Sequence, residues 1–177
     1  MKKALAIGLA AAMAVSMTAP VYASDDSESG AGIAKEEIPT AFLRHATSKI
    51  RNPEDLLSVT SLGFRGEALS SIAAVAQVEL ITKRKEDIVG TRYSIEGGKE
   101  TGCEEVGCPE GTTFVVRNLF YNTPARRKFL KSKMTEAGYV ESFIQRLALS
   151  HPDISFKFIC DNKNKISTSG NGNLKDV

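Results

Sequence analysis

Apolar residues recur at helical spacing in several stretches of this chain, and short β-branched runs lie between them. Over residues 35–46, Ile38, Phe42 and Leu43 fall on one side of a predicted helix. Asn52-Pro53-Glu54-Asp55 opens a short helix through Leu57, with Pro53 suited to its first turn. Residues 68–76 set Leu69, Ile72, Ala73 and Ala76 at helical spacing. Residues 136–149 read as a longer amphipathic helix with Tyr139, Phe143, Ile144 and Leu147 inward, closed by His151-Pro152. Residues 78–82, 92–95 and 113–117 are predicted strands, with Gly97-Gly98 and Pro109-Glu110-Gly111 as turns between them. Residues 155–160 and 165–168 form a predicted hairpin around Asp161-Asn162-Lys163-Asn164. Asn122-Thr123-Pro124 opens a further helix, Thr123 capping it and Pro124 taking its first position. The mixture is α+β with a largely antiparallel sheet.

Residues 1–23 follow a different pattern. Lys2 and Lys3 precede an apolar, alanine-rich run over residues 4–19, which closes on Val21-Tyr22-Ala23. This is the layout of a secretory signal, with cleavage expected before Ser24. The alternatives are a buried N-terminal helix or a membrane anchor, and the run is shorter than the roughly 20 residues a span needs. Residues 24–30 are polar, so the expected division is a leader over 1–23, a body over 24–168, and a Gly- and Asn-rich start of another segment over 169–177.

Composition narrows little further. The 177 residues are 42% hydrophobic and 25% charged, which argues against disorder and against a membrane channel. The net charge of +2 gives no global case for nucleic acid, so any such contact must come from a local patch. Cys103, Cys108 and Cys160 cannot all pair, and His45 and His151 lie far from them in sequence, so the thiols read as incidental.

Four segments could carry chemistry. Leu62-Gly63-Phe64-Arg65-Gly66-Glu67-Ala68-Leu69 puts glycines just before a helix, where backbone N–H groups and the helix dipole favour an anion. A glycine turn that packs a helix on a sheet has the same spelling, and the two readings stand level. Arg44-His45-Ala46-Thr47-Ser48-Lys49 could offer hydroxyls and an ammonium to phosphate oxygens, or be an ordinary helix end. Gly30-Ala31-Gly32-Ile33 is a flexible loop preceded by Glu28, whose carboxylate could accept from an adenine amino group. Residues 118–131 join aromatics to a basic helix: Arg126, Arg127, Lys128 and Lys131 suit a phosphate backbone, or form a solvated basic face.

Taken together and in order, these segments resemble the MutL family of DNA mismatch-repair proteins, among the GHKL ATPases. The phrases Gly63-Phe64-Arg65-Gly66-Glu67-Ala68-Leu69 and Asn122-Thr123-Pro124-Ala125-Arg126-Arg127-Lys128-Phe129-Leu130 are the most specific. The resemblance runs from about Glu28 to Val177. It implies a Bergerat-type α/β sandwich with a mixed, mostly antiparallel sheet, incomplete at the N-terminus, in which ATP lies between helices and sheet. By the same resemblance Glu28, Gly30, Gly32 and Thr113 match positions near adenine, and Thr47, Ser48 and Lys49 match lid residues. Gly63, Phe64, Arg65, Gly66, Glu67, Ala68 and Leu69 match the phosphate-binding loop and helix start. It further implies ATP with Mg²⁺, a homodimer gated by ATP, DNA, and a mismatch-recognition protein as partners. No residue matches the family's general-base glutamate, its Mg²⁺-binding asparagine or its distal lysine, so no catalytic residue is assigned and ATP hydrolysis is expected to be lost. The leader predicts export, whereas mismatch repair belongs with the chromosome.

Overall fold

Strand β1, Gln77–Lys83, alternates buried Val78, Leu80 and Thr82 with half-buried neighbours, as a strand does when one face lies on a core. The computed structural model describes residues 31–44 and 67–177. Residues 31–44 and 67–128 belong to one compact unit, and residues 129–177 to another.

In the first unit β2, Gly90–Glu96, and β4, Gly111–Arg117, flank β1, and β3, Lys99–Val106, lies outside β2. The order is β3-β2-β1-β4 and every neighbouring pair is antiparallel. The register sets Leu80 beside Tyr93 and Phe114, and Val78 beside Ile95 and Val116. Onto that face pack Ile38 of α1, Ile38–Ala41, with Phe42 just after it, and Leu69, Ile72 and Ala73 of α2, Ala68–Ala73. The rings of Phe42 and Tyr93 stack with centroids 5.5 Å apart. Burying each large apolar side chain here contributes roughly 2–3 kcal/mol.

The end of α2 is held from outside. Helix geometry leaves the last carbonyls without intrahelical donors, and the carbonyls of Ala73 and of the three residues after it take four donors from outside. Gly98 N–H donates to Ala73 C=O (2.8 Å), Phe120 N–H to Val75 C=O (2.7 Å) and Gly97 N–H to Ala76 C=O (3.3 Å). The Asn122 carboxamide donates to Ala74 C=O at 2.9 Å. Gly97 and Gly98, at φ +56° and +81°, make the β2–β3 turn of the mirror-image type that glycine permits. Phe120 sits at φ +60°, a costly position for a bulky residue, and its amide bond to Val75 accounts for the conformation. Asn118 Nδ2 donates to Gln77 Oε1 (2.6 Å), and Gln77 Nε2 to Glu96 Oε1 (2.8 Å), fastening the same loop to the sheet.

Several expectations change. The helix over 35–46 is a 3-10 turn at Lys35–Glu37 followed by the four-residue α1, and Leu43, past its end, faces solvent. Residues 45–46 and the helix expected at 52–57 lie outside the described residues. Strand β3 was absent from the expectation. Its Lys-Glu-Thr-Gly-Cys-Glu-Glu-Val has no apolar alternation, because an edge strand exposed on both sides needs only the backbone ladder and pairs such as Arg92–Glu104 (2.9 Å). Thr123 precedes Pro124 of α3, Pro124–Arg127, but its hydroxyl makes no capping bond and is buried without a partner.

In the second unit α4 spans Lys133–Ser150, earlier than expected, because Ser132 caps it by accepting from Thr135 N–H at 3.2 Å. The Glu136 carboxylate reaches back to accept from Lys131 N–H at 2.8 Å. Strands β5, Lys157–Cys160, and β6, Lys163–Ser167, form the expected hairpin, with Asp161 and Asn162 at φ +49° and +60° in its turn. Lys133 Nζ bonds Asp161 Oδ1 at 2.5 Å. The inward face of α4 is narrower than expected: Tyr139 is 62% exposed and Phe143 is also exposed, while Ala148 is buried and Ile144 and Leu147 are half-buried. Gly172 N–H donates to Pro152 C=O (2.9 Å), folding the last residues onto this unit.

Two measurements test this packing. Leu80→Ala should cost about 3 kcal/mol and Asn122→Ala about 1 kcal/mol in denaturant unfolding; equal costs would show that the apolar face does not dominate. Burial, aided by the Glu100 carboxylate, pushes the Tyr93 phenol up to about 12. Its folded value lies above the unfolded one, so the associated stability is complete below pH ~10 and declines as pH rises through about 12. Ultraviolet titration should show one tyrosine ionising near pH 12, absent in Tyr93→Phe.

Candidate functional site

The sheet face that carries the core ends, at the exit of β1, in hydroxyls instead of apolar side chains. Thr82 is 1% exposed and shares this face with Leu80 and Val78. A buried hydroxyl must be bonded, and Thr82 is bonded threefold. It accepts from Ile33 N–H at 2.9 Å, donates toward Gly111 C=O at 3.1 Å, and lies 3.0 Å from Thr112 Oγ1. One side chain thereby joins the glycine segment at Gly32-Ile33, the end of β1 and the start of β4.

Gly32 explains its own identity. Its φ is +70°, and a Cβ there would lie 2.3 Å from the Lys83 carbonyl oxygen and 2.8 Å from the Arg84 nitrogen. Only glycine lets the backbone pass so close to the outgoing strand. The strand exit is fixed in turn by Arg84, whose guanidinium grips Asp87 at 3.0 and 2.8 Å and draws that carboxyl below its ordinary range.

The expected site residues divide among three places. Glu28, Gly30, Thr47, Ser48, Lys49, Gly63, Phe64, Arg65 and Gly66 lie outside the described residues. Glu67, Ala68 and Leu69 are the entry to α2: the Glu67 carbonyl accepts from Ser71 N–H and from Ser70 Oγ, both at 3.0 Å, and Leu69 packs on the core. Thr113 pairs with Ile81, so the register places it on the sheet face away from α1 and α2, whereas Thr112 pairs with Thr82 and reaches the hydroxyl cluster. Thr82 and Thr112 were not singled out from the sequence. The available signal was a polar residue at the buried phase of Val78-x-Leu80-x-Thr82.

The basic segment also divides. Arg126, Arg127 and Lys128 are exposed at the end of α3 in the first unit, while Lys131, also exposed, belongs to the second. Among the described residues no group of three His, Cys, Asp or Glu side chains could hold a metal ion. Among them, too, no helix is long and apolar enough to cross a membrane, and Cys103, Cys108 and Cys160 are free thiols.

Comparison with known proteins places this geometry. No family model matches the chain. The MutL ATPase domain of Aquifex aeolicus, solved in complex with ADP, superposes with a TM-score of 0.61 at 31% identity, covering 82% of this chain and 50% of that one. The N-terminal domain of a DNA repair protein superposes at 0.62 and 26% identity, over 83% of this chain and 43% of that one. The fold is therefore that of a GHKL-type ATPase domain. DNA mismatch repair protein MutL of Agathobacter rectalis is 62% identical over 151 residues, which is 85% of this chain and 23% of that protein. MutL of Caldanaerobacter subterraneus subsp. tengcongensis is 52% identical over 151 residues, 85% of this chain and 26% of that one. The chain belongs to the MutL family, and it spans about a quarter of the length of these two curated relatives.

Replacing Gly32 by alanine should lower the stability of the first unit by about 2 kcal/mol, through a strained φ and a backbone clash. Thermal unfolding checks this, and an unchanged midpoint would remove Gly32 from the site's architecture.

Proposed function

We propose that this chain is the nucleotide-binding part of a MutL-type mismatch-repair protein, taking an adenine nucleotide on the helix-covered side of the β1–β4 sheet. The observation that carries this is the likeness in fold and sequence to an ATPase domain solved with ADP. The adenine lies by the segment Glu28 to Gly32 and the Thr82–Thr112 hydroxyls, and the phosphates lie by Gly63–Gly66 and the start of α2. Thr47, Ser48 and Lys49 are the lid residues by resemblance, and Thr112 takes the place that the resemblance gave to Thr113. The nucleotide state governs pairing with a second copy and engagement of DNA and a mismatch-recognition protein.

The residues of the site set what the nucleotide needs: glycines for close backbone approach, hydroxyls to read a base edge, and an anion-seeking turn for phosphate. Isothermal titration of the 177-residue chain with ADP should give saturable one-to-one binding, weakened at least tenfold by Gly63→Val, a change of about 1.4 kcal/mol. Absence of binding sinks the proposal. The same samples with Mg²⁺ test the expectation that these residues alone do not turn ATP over, and steady phosphate release would overturn it.

DNA contact rests on Arg126, Arg127 and Lys128 as phosphate partners. Replacing Arg126 and Arg127 by alanine should weaken duplex binding and flatten the log K against log salt slope by about 2. An unchanged slope assigns these side chains to solvent. A second reading, favoured by the pattern of residues 1–23, is an exported chain. It requires a mature N-terminus at Ser24, and recovery of the expressed protein with residues 1–23 intact excludes it.

A further inference from the structure

We propose that Thr82 is a specificity-determining positioning residue: by fixing the direction of one hydrogen-bond chain, it makes the site accept from the base edge and so prefer adenine to guanine. The inference rests on the nucleotide reading above and concerns a residue that does not touch the base.

A threonine hydroxyl has one proton and two lone pairs. Around Thr82 two of its three neighbours have fixed roles. Ile33 N–H can only donate, and at 2.9 Å it takes one lone pair. Gly111 C=O can only accept, and at 3.1 Å it takes the proton. The third neighbour, Thr112 Oγ1 at 3.0 Å, must then donate into the remaining lone pair. Its own proton is committed to Thr82, so Thr112 Oγ1 turns only lone pairs toward the site. Burial enforces the order, because reversing it leaves the Gly111 carbonyl without the Thr82 proton and sets the Thr112 oxygen free to donate.

An acceptor at that point matches the exocyclic amino group of adenine, a donor. It meets the carbonyl of guanine, an acceptor, with repulsion and an unmet bond. A site built with fixed hydrogen-bond polarity rejects the mismatched analogue more strongly than shape alone does. Thr82 thus does two things: it anchors Ile33, next to Gly32, and it sets the polarity of Thr112.

The test compares ADP with GDP by isothermal titration on the whole chain and its variants. The parent chain should prefer ADP; Thr82→Val, which keeps the shape and removes the hydroxyl, should shrink that preference about tenfold, the scale of one hydrogen bond. Thr82→Ser, which restores the hydroxyl, should return it to within about threefold of the parent. Thr112→Val, at a half-buried position, carries the same test where valine at 82 unfolds the chain as judged by circular dichroism, and it too should lose the preference. Equal affinity of the parent for ADP and GDP, or a preference unchanged in a folded Thr82→Val or Thr112→Val, overturns the inference. A parent chain that binds neither nucleotide instead sinks the nucleotide reading itself.

Discussion

The carbonyl groups at the end of α2 are the constraint from which much of the first unit follows. A six-residue helix is too short to stand alone, and each carbonyl from Ala73 to Ala76 needs a donor that the helix cannot supply. Donors come from two distant places: the β2–β3 turn at Gly97-Gly98, and the loop after β4 through Phe120 and Asn122. The hairpin must therefore turn where it does, and the chain leaving β4 must bend back under the helix. That bend puts Asn118 and Phe120 into left-handed conformations. The strain at Phe120, of order 1–3 kcal/mol, persists because its N–H is the donor for Val75.

Strand β1 connects this clamp to the candidate site. At its start, Gln77 bridges Asn118 and Glu96 and so belongs to the clamp. At its end, Thr82 collects Ile33, Gly111 and Thr112. Between them Val78 and Leu80 supply the apolar burial. The two polar ends differ in consequence. Asn122 and the Gln77 side chains bond at the surface, where water can replace a lost partner at modest cost. Thr82 is closed off from water, so its partners are obligatory.

Much of the fold was legible because it obeys period. Val78, Leu80, Ile95 and Val116 announce strands with one buried face, Gly97-Gly98 announces a tight hairpin, and Leu69, Ile72 and Ala73 announce the helix that covers them. Where period carries no information, an element leaves no mark in the sequence. Strand β3 buries almost nothing and left no apolar trace. The inward face expected for α4 included Tyr139 and Phe143 because spacing alone takes every large apolar residue as core; the two strands of that unit cover a narrower stripe. Ser132 was not foreseen as the start of α4, although serine followed four residues later by Glu136 bonds both exposed ends of the backbone there.

The site itself shows why phrase matching and geometry answer different questions. The glycine phrases mark where a backbone must come close to something, and Gly32 does so visibly, against Lys83 and Arg84. They say nothing of sheet parity. Gly111-Thr112-Thr113 offers two adjacent hydroxyls, and sequence alone has no reason to choose between them. Antiparallel pairing decides: a one-residue step along β4 carries a side chain from one face to the other, so the partner of Thr82 lies on the helix side and the partner of Ile81 does not. The same step separates a hydroxyl bonded to Thr82 from one on the opposite face. The hydroxyl that joins the buried cluster is therefore that of Thr112, and its partner is the buried threonine on the neighbouring strand, which no motif had marked.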